Sequence, residues 1–195
     1  LYDMAKDLYE AGIDAINVSL DTLSRKKFLK ITRRDDFEKV SMAIDKLVDL
    51  GVRVKINCLA IKEYNFDEIV KIAQYSKDNN IDVRFIELMP IGYGKIYTGI
   101  SNEVILGLLE EKYGQFEKVK EKRGNGPAVY YANENFKGCI GFISAISHEF
   151  CETCNRVRLT SNGFLKLCLH YNKGIDLKEP LRSNISDEDL TNMIH

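Results

Sequence analysis

Val52-Arg53-Val54-Lys55-Ile56-Asn57-Cys58-Leu59-Ala60-Ile61 is a β-branched, apolar run with a lysine and an asparagine set inside it. Its length and composition are those of a strand buried on both faces, as in parallel sheets covered by helices. Two similar runs flank it, at 15–20 and 83–89, and amphipathic helical patterns separate the three. Residues 36–50 place Phe37, Val40, Ile44, Leu47 and Val48 on one stripe, and Gly51 follows as a stop. A second helix starts near Asn65, which the spacing to Glu68 casts as its cap, with Phe66, Ile69, Val70 and Ala73 as the buried stripe. Alternating helix and strand specifies an α/β chain with a parallel sheet.

After Met89 the grammar changes. Residues 90–94 interrupt the rhythm, 101–113 form one more helix ended by Gly114, and short antiparallel pieces follow at 116–119, 128–131 and 139–144. Residues 156–159 and 164–169, joined across Ser161-Asn162-Gly163, read as a hairpin. A last helix starts near Ser186, with acids in its first turn. The boundary falls near residue 100, giving a βα part at 1–100 and a small β-rich part at 101–195.

Of the 195 residues, 45% are hydrophobic and 29% charged, which is the composition of a folded domain and excludes intrinsic disorder. Lys plus Arg number 28 against 29 acids, so the overall basic excess of a non-specific nucleic-acid binder is absent and any anion site is local. No apolar run approaches the roughly 20 residues that span a bilayer, and no signal peptide opens the chain, so it reads as cytoplasmic, without a membrane or nucleic-acid partner. The chain starts at Leu1 in what looks like the middle of a helix. The expectation is that something upstream has been cut away.

Five cysteines, an odd number, argue against a disulfide framework. Cys58 and Cys139 sit alone in apolar strands and read as small buried hydrophobes. Cys151, Cys154 and Cys168 form C-x2-C-x13-C, a metal-binding spacing. Three thiolates suit three corners of a [4Fe-4S] cluster, leaving one iron open to another ligand. Zinc competes, with His170 or His148 completing a Cys3His site, and spacing alone slightly favours it. Residues 150–174 carry four cations (Arg156, Arg158, Lys166, Lys173) against Glu152. Arg156 and Arg158 alternate on one strand and share a face, where guanidinium forks suit polyphosphate oxygens. In the first half, Lys55, Asn57, Arg84, Glu87 and Met89 read as strand-end residues, where ligands gather in α/β folds. An inward Lys55 or Arg84 needs a carboxylate, water or bound anion. Salt bridges to Glu87 and Asp21 compete evenly there with ligand binding.

The segments 16–21, 34–37, 54–57, 83–90 and 126–128, together with Phe150-Cys151-Glu152-Thr153-Cys154-Asn155-Arg156-Val157-Arg158-Leu159-Thr160, resemble the GTP 3′,8-cyclase family of radical S-adenosylmethionine enzymes. The resemblance covers nearly the whole chain. It implies an α/β fold, the C-terminal half of an incomplete (βα)6 TIM-like radical SAM barrel, with a small β-rich iron-sulfur appendage. In that family an N-terminal CxxxCxxC cluster cleaves S-adenosylmethionine to a radical that takes the 3′ hydrogen of GTP. The ribose radical closes on C8, giving 3′,8-cyclo-7,8-dihydro-GTP. Cyclic pyranopterin monophosphate synthase is the pathway partner that uses this product in molybdenum-cofactor biosynthesis. Carried over by motif, Cys151, Cys154 and Cys168 hold a second [4Fe-4S] cluster whose open iron binds the purine. Ser19 and Met89 contact S-adenosylmethionine, and Lys55, Arg84, Arg156, Val157 and Arg158 contact GTP. No CxxxCxxC occurs here, and the family's Gly-Gly tail is missing at His195. The chain is therefore expected to hold its C-terminal cluster yet be inactive alone, with an unprotected edge at 15–20 that pairs into a homodimer. The alternative is a non-catalytic, zinc-stabilised module that binds nucleotide or protein.

Overall fold

A computed structural model of the chain describes residues 1–121, 123–147, 154 and 156–194. They divide into two compact units, Leu1–Phe150 and Cys151–His195.

The first unit opens with α1 (Ala5–Glu10), β1 (Ala15–Ser19), α2 (Arg25–Thr32), α3 (Phe37–Asp49) and β2 (Arg53–Ala60). It continues through α4 (Lys62–Asn65), a 3-10 turn, α5 (Ile69–Asp78), β3 (Asp82–Glu87) and α6 (Asn102–Tyr113). Three short strands complete it: β4 (Glu117–Lys118), β5 (Val129–Ala132) and β6 (Ile140–Ile143). One sheet carries all six strands in the order β1-β2-β3-β6-β5-β4. β1, β2, β3 and β6 run parallel, β5 returns antiparallel to β6, and β4 pairs antiparallel to β5. Neighbouring late strands are thus antiparallel, as their spacing suggests, but β6 also extends the parallel sheet beside β3. The chain is α/β with a mixed, mainly parallel sheet.

The sheet's two faces differ in chemistry. Ile56, Cys58, Phe85 and Ile140 lie on one face and are buried in a core shared with Ile44, Leu47, Ile72 and Leu109 of the helices. Phe85 and Phe142 stack there, with ring centroids 6.2 Å apart. Alternation puts Asn17, Ser19, Lys55, Asn57, Arg84 and Tyr130 on the opposite face.

Asn65 does not cap a helix. It ends α4, and its side-chain oxygen accepts from Ile61 N–H at 2.9 Å while its amide donates to the carbonyls of Asp21 and Leu59, each at 2.8 Å. Glu68, the other half of the supposed capping box, accepts instead from Thr22 Oγ1 and Leu23 N–H, both at 2.6 Å. Both side chains satisfy the buried loop after β1, a demand set by tertiary structure and invisible to local spacing.

In the second unit, β7 (Arg158–Leu159) and β8 (Phe164–Lys166) form the hairpin expected across Asn162-Gly163, with Gly163 at φ +84°. β9 (Gly174–Asp176) adds a third antiparallel strand, followed by α7 (Lys178–Arg182) and α8 (Asp187–Ile194). Ser186 caps α8, accepting from Asp189 N–H at 3.1 Å. Among the described residues no helix is long and apolar enough to cross a membrane.

Candidate functional site

Lys55 is the third residue of β2 and Arg84 the third of β3, so both lie well before the carboxyl ends of their strands. Ser19 ends β1, and Met89 lies just beyond β3. The register pairs Asn17 with Lys55 and Lys55 with Asp82, and places Ser19, Asn57, Arg84, Gly141 and Tyr130 in one cross-strand row. The polar face thus runs from Lys55 and Asp82 to Ser19 over a single two-residue repeat, about 7 Å at a strand rise near 3.3 Å per residue.

The internal salt bridges considered for Lys55 and Arg84 are not formed. Arg84 donates through Nε to Asn57 Oδ1 at 2.8 Å and through Nη2 to Asn17 Oδ1 at 2.7 Å. Both acceptors are neutral, so the guanidinium is oriented without being neutralised. Lys55 is only 7% exposed, and its Nζ donates to the Arg123 carbonyl at 2.6 Å and to Tyr130 Oη at 3.5 Å. Burial lowers the Lys55 pKa against the attraction of Asp82, and the nearby charges of Arg84, Arg53 and Arg123 push it the same way. Among the described residues neither cation has a carboxylate within ion-pair distance. Glu87 is occupied elsewhere, accepting from Ile146 N–H at 2.8 Å, Ser147 N–H at 3.0 Å and Ser147 Oγ at 2.5 Å. Asp21 accepts from Leu59 N–H at 2.7 Å, and burial raises its pKa.

Three residues that motif reading overlooked complete this surface. Arg123 donates from Nη2 to Asp82 Oδ1 at 2.9 Å, while its own carbonyl holds Lys55. Tyr130 is buried in β5 beside Lys55 and Arg84. Gly141 lets them meet, because a Cβ there would lie 2.9 Å from both Arg84 Cγ and the Tyr130 ring. No local pattern marked Tyr130 off from Tyr131, which turns to the core face against Phe142; for Arg123 only the flanking Gly124 and Gly126 hinted at a loop.

In the second unit Arg158 pairs with Lys166 across the hairpin, and Cys168 follows two residues beyond the end of β8. Arg156 and Arg158 are both exposed, as is Val157 at 61%. Cys168 Sγ accepts from His170 N–H at 3.3 Å. Backbone N–H groups of Tyr171 and His170 hold the Cys168 thiol below its usual pKa. Cys154 is exposed, whereas Cys58 and Cys139 are buried, as their apolar flanks suggested. Cys151 and His148 lie outside the described residues, and with them the geometry of the triplet. Among the described residues no three His, Cys, Asp or Glu side chains converge as a metal site.

Comparison with known proteins adds independent findings. Residues 1–76 match the Radical SAM superfamily and residues 81–195 match Molybdenum Cofactor Synthesis C. The chain is 46% identical over 194 residues to a GTP 3′,8-cyclase of Clostridium perfringens, covering 100% of this chain and 60% of that protein. It is 40% identical over 193 residues to Molybdenum cofactor biosynthesis protein 1 of Drosophila melanogaster, covering 96% of this chain and 34% of that one. The chain thus spans three-fifths or less of the length of these relatives. With a radical SAM region leading into a match over more than half its length, the chain belongs to the Molybdenum Cofactor Synthesis C family.

Proposed function

We propose that this chain is the GTP-binding part of a GTP 3′,8-cyclase, the C-terminal part of an incomplete (βα)6 TIM-like radical SAM barrel with its iron-sulfur appendage. The division near residue 100 belongs to this reading. One observation carries it: Arg84 and Lys55 stand side by side on the polar face of a mainly parallel sheet, oriented by amide, hydroxyl and carbonyl oxygens but not neutralised. Such a pair binds an anion of several charges better than it serves the fold, since two uncompensated cations destabilise the unliganded chain. Arg84, positioned by Asn17 and Asn57, would hold a phosphate bidentately, and Lys55 would serve as a point charge beside it. Ser19 and Met89, at the carboxyl end of the same face, would contact S-adenosylmethionine.

In the appendage, Cys168 has the donor chemistry a cluster needs, because its backbone hydrogen bonds favour the thiolate, the ligating form. Cys151, Cys154 and Cys168 would hold a [4Fe-4S] cluster, with Arg156, Val157 and Arg158 contacting GTP beside it. When bound, this cluster, a second one and S-adenosylmethionine supply the radical chemistry. The chain's own residues bind and orient the triphosphate, which fixes which ribose C–H is presented. The cyclised product is the substrate of cyclic pyranopterin monophosphate synthase. The unpaired thiols suit a cytoplasmic setting.

Anaerobic reconstitution tests the assignment. It should give about four irons per chain with broad visible absorption. Stoichiometric zinc would instead support the zinc-stabilised binding module. GTP should bind the reconstituted chain, and Arg84→Ala should weaken it roughly tenfold, about 1.4 kcal/mol. The 195-residue chain alone should not cyclise GTP, because no CxxxCxxC occurs in it. Turnover by the purified chain would overturn that part.

A further inference from the structure

Three cations crowd one buried ring. Tyr130 is 5% exposed in β5, and Lys55 Nζ lies 5.6 Å from its ring centroid and Arg123 Cζ 5.9 Å from it. Gly141 leaves room for the Arg84 stem to pass against the same ring. Within this group Asp82 is the one carboxylate in ion-pair contact among the described residues, and it is bonded to Arg123. Three positive charges against one negative leave an excess of two. Mutual repulsion would splay these long side chains toward water, and Tyr130 opposes that through its hydroxyl oxygen, 3.5 Å from Lys55 Nζ, and through its electron-rich ring beside Arg123.

We propose that Tyr130 is the positioning residue of the anion site, gathering Lys55, Arg84 and Arg123 so that they meet a single linear polyphosphate. The inference rests on the reading of this face as the triphosphate site and adds a third cation, Arg123, with the ring that organises all three. The hydroxyl contributes as well. It accepts from Lys55, which leaves its O–H free to donate to a phosphate oxygen. Burial pushes the Tyr130 pKa upward, so the group stays a neutral donor at physiological pH. The Arg123 carbonyl completes the arrangement. It fixes Lys55 from the loop side, where Gly124, at φ +108°, would bring a Cβ within 3.1 Å of Nζ.

Inorganic tripolyphosphate and monophosphate, titrated into the 195-residue chain by calorimetry, separate the possibilities. The chain should prefer tripolyphosphate. Tyr130→Phe, which keeps the ring, should lose about threefold in tripolyphosphate affinity, and Tyr130→Leu roughly tenfold or more, while monophosphate binding changes little. The preference itself is the readout that a merely structural role would not move. Equal losses for both anions, in step with a lower unfolding midpoint, would overturn the proposal, as would full retention in Tyr130→Leu. If the leucine variant fails to fold, Arg123→Ala decides: it must weaken tripolyphosphate more than monophosphate, and equal effects refute the cation cluster. Should the wild-type chain bind no tripolyphosphate, the triphosphate reading of the face falls, and this inference with it.

Discussion

Glu68 is buried at 7% exposure yet ionised, meeting Thr22 Oγ1, Leu23 N–H and, at 2.7 Å, Lys27 Nζ. Burial raises its pKa, but these hydrogen bonds outweigh that and hold it below its ordinary value of 4.5. A carboxylate with a depressed folded pKa contributes stability that is complete above its unfolded value and is lost as pH falls through the folded one. Glu68→Gln should therefore cost about 2 kcal/mol at pH 7, since it removes charge-assisted bonds and leaves Leu23 N–H poorly matched. The gap from wild type should close as pH drops below 4.5. Urea midpoints at pH 7 and pH 3.5 check this, and a gap of equal size at both would contradict it. The same residue marks the limit of reading single positions. Glu68 and Asn65 have capping-box spacing, but Glu68 bonds Thr22, and Asn65 bonds Asp21 besides its nearer partners Ile61 and Leu59, so each reaches a residue more than 40 positions away. Arg84 was legible as a buried cation needing a partner. That its partners are Asn17 and Asn57 was not, because strand register, which no local pattern sets, brings them together.

At the scale of elements, helices and parallel strands followed from periodicity, since each buries a stripe or a whole run of apolar residues. β1 and β2 fall within the expected runs, trimmed by one residue at the end of β1 and at both ends of β2, while β3 begins one residue before its run, at Asp82, and stops two residues short of its end. Short pieces were harder. α2, β9 and α7 carry too few apolar residues for a periodic signal, and β6 hid its parallel partner because pairing is non-local. Gly138 shows what that pairing requires. Its N–H donates to the Ser76 carbonyl at 2.8 Å, and a Cβ there would lie 2.0 Å from the Ile81 carbonyl oxygen and 2.7 Å from its carbon. Backbone cannot yield as a side-chain tip can. Gly138→Ala should force β6 away from β3 at its start and cost about 3 kcal/mol, the upper range for overpacking. A urea midpoint within error of wild type would show that the two strands do not depend on this close approach. Lys55, Arg84 and Tyr130 all sit across this seam, so the variant should also weaken anion binding.

At the scale of the whole chain, the six-stranded sheet ends at β1, a five-residue strand whose described pairing is to β2 alone. Leu20 N–H donates to the Asn57 carbonyl at 2.9 Å. By alternation the even-numbered residues of β1 turn their N–H groups toward β2, and Ala15, Asn17 and Ser19 turn theirs outward. An outer edge with three donors that have no partner among the described residues, and with no proline, is a template for a second chain. The purified 195-residue chain should therefore self-associate as its concentration rises. Ala15→Pro removes one outward donor at the first position of the strand, where proline is tolerated, without touching the bonds to β2. Sedimentation velocity should show the wild type shifting toward a dimer with concentration, and the proline variant shifting less, with the unfolding midpoint of the variant unchanged. A monomer at every concentration would mean the edge is protected some other way. A proline variant that associates as readily would place the interface elsewhere.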